Sequence, residues 1–251
     1  MYLNAVNLVK KYGKRVVVDN LSISVKRGQI IGLLGPNGAG KTTTFYMIAG
    51  IIRATSGKIL LNEIDITEAP LYKRAKLGIY YLPQEPSIFR KMTVEENILA
   101  ALEQKKLTKK ERMKALLSIL EDFNLMHIRK VRAEYVSGGE RRKTELARAI
   151  ALEPQFLLLD EPFTGVDPVT IEELQKIILA LAKRNIGIII TDHNVYDTMP
   201  LTDTSYLIFE GKLLKKGAPE ELANDPIVRK VYLGSSFTFI KTKEDIEGSE
   251  N

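Results

Sequence analysis

The chain has 251 residues, 45% hydrophobic and 27% charged, with 37 Lys and Arg against 31 Asp and Glu and a formal net charge of +6. That balance describes a globular chain with a sizeable core, either one large domain or one domain with an inserted lobe, and excludes a disordered polymer. With no cysteine, disulfides and thiolate metal sites are excluded, and His127 and His193 are too few for a histidine-rich metal centre.

In chain order, the stretch to about Val25 alternates apolar and polar residues and predicts antiparallel strands. GQIIGLLG (Gly28 to Gly35) predicts a short buried strand, followed by a glycine-rich loop and a helix over TTTFYMIAG. Hairpin-like strands are expected around Gly57 to Asn62 and a further strand at Gly78 to Leu82. From Thr93 the pattern turns helical. Thr93 with Glu96, Thr108 with Glu111 and Ser137 with Glu140 each have the spacing of a capping box. A second buried strand, FLLLD, leads to a helix begun by Asp167 and Pro168, a capping residue followed by proline at the first helical position. Strand IGIIIT, a helix, the hairpin YLIFEGKLLKKG and a last helical segment, PEELANDPIVRKVYLG, complete the core.

The apolar runs, such as IIGLL and FLLL, are far too short to span a bilayer, and MYLNAVNLVKKYGK has no secretory h-region, so a cytoplasmic location is expected. The densest basic run, QKKLTKKERMK (Gln104 to Lys114), reads as a solvated helix face, because no aromatics interleave to stack bases. No nucleic-acid partner is expected.

Strands alternating with helices imply an α/β fold with a parallel, doubly wound core. A ligand then belongs at the carboxyl ends of the strands, where Gly35, Asp160 and His193 fall. GPNGAGKT, Gly35 to Thr42, fits the phosphate-loop pattern G-x-x-x-x-G-K-[ST] between a strand and a helix. Its glycines let backbone N–H groups surround phosphate oxygens, and the helix N-terminus adds positive potential. The candidate nucleotide-binding set is Gly35, Pro36, Asn37, Gly38, Ala39, Gly40, Lys41, Thr42 and Thr43. Lys41 is expected to reach the β- and γ-phosphates, and the Thr42 hydroxyl to ligate Mg²⁺. Asp160, ending a buried strand, is expected to hold Mg²⁺ directly or through water. Glu161 is placed to orient or deprotonate the attacking water, and the His193 imidazole to bond the γ-phosphate.

VSGGE, Val136 to Glu140, is a capped helix start with two glycines that the cap does not require. It resembles the signature of ATP-binding-cassette (ABC) ATPases, usually written LSGGQ, and departs from it at Val136 and Glu140. Phosphate loop, signature, LLLDE and histidine stand in that family's order, over about residues 1–236. The resemblance implies a phosphate-loop NTPase core with an N-terminal antiparallel β subdomain and an inserted helical subdomain at about 88–154. It also implies a head-to-tail homodimer in which Ser137, Gly138 and Gly139 face the other chain's ATP. By the same resemblance Tyr12 stacks on adenine, Gln84 links Mg²⁺ and attacking water to the helical lobe, and Asp167 crosses the dimer interface.

A narrower similarity, carried by QEPSIFRKMTVEEN, GERRK, FTGVDP, TDHNV and VRKVYLGSSF, is to the ATPases of lipopolysaccharide export. It implies extraction of lipopolysaccharide from the inner membrane and two transmembrane permease subunits docking near Phe89 and Arg90. The ATPase of another transporter, such as a branched-chain amino-acid importer, stays open at this point. So, more distantly, does a cassette protein acting on nucleic acid. A phosphate-loop GTPase lacks its N-K-x-D motif here. Residues 237–251 are expected to be a flexible tail.

Overall fold

A computed structural model describes residues 1–234, 237–238 and 242–248. Two long strands, β1 (Tyr2–Tyr12) and β2 (Arg15–Lys26), precede β3 (Ile30–Leu34), which runs through residues 35–40 into α1 (Lys41–Ala49). Next come β4 (Ser56–Leu61), β5 (Ile64–Asp65), α2 (Leu71–Lys76) and β6 (Ile79–Leu82). Three helices follow: α3 (Val94–Leu102), α4 (Lys109–Asp122) and α5 (Gly138–Ile150). The chain then returns to β7 (Phe156–Asp160), α6 (Pro168–Lys183), β8 (Gly187–Thr191), α7 (Val195–Thr198), β9 (Thr204–Phe209) and β10 (Lys212–Gly217). Short helices α8 (Pro219–Asn224), α9 (Pro226–Val228) and α10 (Lys243–Glu247) end the described chain.

One sheet is antiparallel, in the order β2-β1-β4-β5; the other has six strands, β10-β9-β3-β8-β7-β6. In the second, β9, β3, β8, β7 and β6 run parallel and only β10 is antiparallel to its neighbour. Covering on both faces explains why β3, β7 and β8 are apolar up to their ends, where β7 and β8 carry Asp160 and Thr191. Ile30, Leu157, Leu159, Ile188 and Ile190 face a core shared with α3 to α6. Their neighbours Ile31, Leu33, Phe156, Leu158 and Ile189 face a core closed by the antiparallel sheet and α1. A strand covered on both faces has no polar side.

Helix starts follow the sequence closely. Thr93, Thr108 and Ser137 each accept from the backbone N–H three residues on, and Glu96, Glu111 and Glu140 return the bond. Asp167 caps α6 ahead of Pro168. Replacing any of these caps by alanine removes about 1 kcal/mol.

Within the segment 237–251, the described residues make the following contacts. Thr242 caps α10, and Ile246 is only 4% exposed, packed into the larger core. Lys183 pairs with Glu247 at 2.8 Å and Lys243 with Asp203 at 2.6 Å. Phe237 is buried against Tyr196, with ring centroids 4.7 Å apart. An acidic, polar composition hides these contacts because a single apolar residue per turn is enough to dock a one-turn helix. Residues 239–241 and 249–251 of that segment, and 235–236 ahead of it, lie outside the described residues.

Candidate functional site

Parallel register brings the strand ends to one edge: Leu82 lies opposite Leu159, Asp160 opposite Thr191, and Gly32 opposite Ile190. Each functional segment starts there. The loop after β3 carries the glycines for two distinct reasons. Gly35 has φ +145°, and a Cβ on it would lie 2.2 Å from the Ile208 carbonyl oxygen; Gly40, at φ +103°, would put one 2.8 Å from that of Val17. Gly38, at φ +77°, faces open space. Two glycines therefore fit the loop against the fold, and the third leaves the cradle free.

Lys41 folds back on this loop, donating from Nζ to the Gly35 carbonyl at 2.6 Å and the Pro36 carbonyl at 3.1 Å. Burial lowers its pKa, opposed by the carboxylates of Glu161, Asp160 and Asp192. A cavity of about 370 Å³ is lined by Tyr12, Arg15, Asn37, Gly38, Lys41, Thr42, Thr43 and Glu161, among others. Tyr12 is 54% exposed, and Lys10 Nζ stands 5.0 Å from its ring centroid.

Asp160 is 3% exposed, and Oδ2 accepts from the Tyr81 hydroxyl at 2.9 Å. Burial raises its pKa above the usual carboxylate range; the Tyr81 bond opposes this, and the Glu161 charge adds to it. Glu161 has φ +44°, a left-handed conformation unusual for a residue with a side chain, and its N–H donates to the Thr191 carbonyl at 2.8 Å. Its Oε2 accepts from Gln84 Nε2 at 2.8 Å and from the Thr164 hydroxyl at 3.1 Å. His193 Nδ1 lies 3.4 Å from the same oxygen and 3.2 Å from Asp192 Oδ1. Gln84, Glu161 and His193 thus converge, although Gln84 and Glu161 are 77 residues apart.

Ser137, Gly138, Gly139 and Asp167 do not line the Lys41 cavity. The two glycines differ. Gly138 is open, its nearest neighbour being the Gly165 carbonyl oxygen at 3.6 Å from a built Cβ. On Gly139 a Cβ would lie 2.3 Å from Thr170 Cγ2, and Thr170 is in turn held by Asp167 at 2.7 and 3.0 Å. Gly139 therefore has an intramolecular reason, the approach of α5 to α6. Gly139→Ala is expected to lower the thermal midpoint by several degrees, and Thr170→Ala in the same chain to restore most of it. A midpoint unchanged by the second substitution would place the clash elsewhere.

Phe89 lies at a groove of about 320 Å³ lined also by Tyr80, Ala100, Ala101, Gln104, Glu145 and Arg148. The Arg148 guanidinium is 5.0 Å from the Phe89 ring. Arg90 is exposed beside this groove and is not part of its lining.

Sequence reasoning missed four residues. Tyr81 holds Asp160, and Arg15 lines the nucleotide-sized cavity. Asp192 is buried and accepts from the N–H groups of Phe163 and Asn194. Arg142, 6% exposed, donates to the Pro83 carbonyl at 2.8 Å, the Asp160 carbonyl at 3.2 Å and Glu145 Oε2 at 3.1 Å. Only Asp192, beside His193 at a strand end, had a positional signal. Arg142 binds backbone carbonyls that any residue supplies, so its place in GERRK gives no sign of these contacts.

The residues fit a nucleotide and a divalent cation. Helix α1, with Gly40 at its N-cap, has no side-chain cap, unlike α3 to α6, and no acid in its first turn, unlike α3 to α5, so its free N–H groups suit an anion. Asp160 keeps a buried carboxylate of which Tyr81 engages one oxygen. Because burial raises its pKa, the folded state binds this proton more tightly than the unfolded chain does. Stability is then lost as pH rises through the acid range. Asp160→Asn is expected to raise the thermal midpoint of the nucleotide-free protein at neutral pH by about 2–4 °C, while ATP turnover falls. A lowered midpoint would show that the charge is stabilised in place.

An uncapped helix behind a glycine loop, an acid pair at the end of a parallel strand one place removed in the same sheet, a separate antiparallel sheet and a lobe of helices define an ATP-hydrolysing cassette. Residues 18–164 match the ABC transporter family, and the chain belongs to it. It is 48% identical over 235 residues to the lipopolysaccharide export system ATP-binding protein LptB of Acidithiobacillus ferridurans, covering 94% of this chain and 98% of that one. The protein of the same name from Haemophilus influenzae is 49% identical over 236 residues, with the same coverage. A probable ABC transporter ATP-binding protein of Azorhizobium caulinodans is 50% identical over 235 residues, covering 94% and 84%. Among solved structures, the ADP conformation of MJ1267, an ATP-binding cassette of an ABC transporter, superposes with TM-score 0.84 at 30% identity, covering 94% and all of the two chains. The dimeric cassette MJ0796 bound to ADP and Pi, at 20% identity and TM-score 0.76, shares the fold. No helix among the described residues is long and apolar enough to cross a membrane.

Proposed function

We propose that the chain is the ATPase subunit that powers extraction of lipopolysaccharide from the inner membrane, working on the membrane's cytoplasmic face with two transmembrane permease subunits. The cargo rests on the likeness to the lipopolysaccharide export ATP-binding proteins, and the coupling to a membrane partner on the 2.8 Å bond from Gln84 to Glu161 together with the grip on the segment after Gln84. Glu145 accepts from the Ser87 N–H, and Arg148 donates to the Ser87 hydroxyl while stacking on Phe89. One short segment therefore connects the groove at Phe89, where a permease helix would dock beside Arg90, to the carboxylate that would activate water.

In this reading the loop 35–43 and Lys41 hold the phosphates, and Tyr12 stacks on the base. Lys41 leaves its own loop carbonyls for the β- and γ-phosphates. Mg²⁺, held by Thr42, Gln84 and Asp160, would neutralise charge on the phosphate oxygens. Glu161 takes a proton from the attacking water, and His193 bonds the γ-phosphate. Two copies pack head to tail, so that Ser137 and the open Gly138 of one meet the nucleotide on the loop of the other, with Asp167 at the interface. Catalysis is then mostly positioning and charge stabilisation. In this reading the chain is a single cassette over residues 1–236 with the helical lobe inserted at about 88–154.

Purification of the tagged chain from membranes tests the physiological part. Recovery of two permease subunits of a lipopolysaccharide exporter, lost on Phe89→Asp, is expected. Recovery of a branched-chain amino-acid permease instead would overturn the cargo and leave the ATPase chemistry intact.

A further inference from the structure

Helix α4 presents two unlike faces. Leu116 and Leu120 are buried in the core, while Lys109, Lys110, Met113, Lys114 and Leu117 follow one another at helical spacing around a shallow hollow. Met113, 44% exposed, and Leu117 supply its apolar surface together with the lysine stems, and the ammonium groups form its rim. Lys106, just ahead of the helix, is exposed too. None of Lys106, Lys109, Lys110 and Lys114 takes part in an ion pair among the described residues, whereas neighbouring Lys105 pairs with Glu153 at 2.5 Å. The one acid in the hollow, Glu111, turns its carboxylate to Thr108, accepting at 2.8 and 2.7 Å. Position adds a second constraint. Gln104 lines the groove that holds Phe89, and the basic run starts at the next residue.

We infer that the Lys106–Lys109–Lys110–Lys114 face of α4, with Met113 between the lysines, docks on the surface of a bilayer carrying anionic phospholipid. An apolar floor with a cationic rim complements such a surface, where the headgroups hold the charge and the acyl boundary accepts a shallow side chain. The contact lies beside the groove and does not depend on what docks there. Measured on the isolated chain, it stands or fails separately from the proposed cargo and permeases.

The test is flotation of the purified full chain with vesicles of phosphatidylcholine alone or with about a third phosphatidylglycerol. The chain is expected to bind only the anionic vesicles, and to release them as salt is raised to about 0.5 M, where screening is short-ranged. Changing Lys106, Lys109, Lys110 and Lys114 to Glu together should weaken that binding at least about 100-fold, because each lysine at an anionic surface contributes about fivefold. Basal ATP turnover should not change. A control with the same change in net charge, Lys58, Lys73, Lys76 and Lys230 to Glu, should retain most of the binding. Equal loss in the two variants would reduce the effect to net charge and overturn the assignment. So would full binding by the α4 variant, or equal binding to neutral vesicles. Tighter binding of a single-stranded oligonucleotide than of anionic vesicles, abolished by the same four changes, would assign the face to nucleic acid instead.

Discussion

Glu161→Gln is expected to lower ATP turnover at least about 100-fold, the scale of a lost general base, while ATP affinity stays close to that of the parent. The substitution is nearly isosteric, and its amide oxygen can still accept from Gln84 and Thr164, which now meet Glu161 Oε2 at 2.8 and 3.1 Å. What disappears is the ability to take a proton. Bound ATP then persists, and the variant should accumulate as an ATP-loaded dimer by sedimentation, with the parent returning to monomer as ATP is spent. Unchanged turnover would remove Glu161 from the chemistry and turn attention to Asp192 and His193, which lie 3.2 Å apart at the same edge.

Lys41→Ala and Ser137→Ala chains should each be nearly inactive alone, yet a mixture should recover turnover that neither has. A mixed head-to-tail dimer holds one site with both lesions and one with none. The geometry makes the experiment clean, because Ser137 is absent from the lining of its own chain's Lys41 cavity and each lesion stays local. The Ser137 hydroxyl also caps α5, accepting from the Glu140 N–H at 3.2 Å, so loss of the cap costs about 1 kcal/mol of stability. Thermal melting of the Ser137→Ala chain separates that cost from lost turnover. Activity that does not depend on mixing would mean each chain encloses its nucleotide alone.

These tests lean on features of different legibility. Capping boxes at Thr93, Thr108 and Ser137 were readable because donor and acceptor lie three residues apart, where helix geometry alone fixes their distance. The phosphate loop was readable for a similar reason: strand, glycines, Lys41 and helix form one continuous stretch. Buried strands declared themselves by carrying no polar alternation. The docking of α10 through Ile246 was not readable, since one apolar residue in an acidic segment has no period to detect.

By itself, then, the sequence determined the α/β class, the helix starts, the phosphate loop and the types of residue gathered at the strand ends. Tertiary structure alone decided which of those residues meet. Gln84 reaches Glu161 across 77 positions and Tyr81 reaches Asp160 across 79, through the register of neighbouring parallel strands. It also assigned Gly139 to Thr170 and Arg142 to the carbonyls of Pro83 and Asp160. The physical reason is that local hydrogen bonds are set by chain geometry, whereas contacts between distant segments exist only once packing of the shared core has fixed how those segments lie side by side.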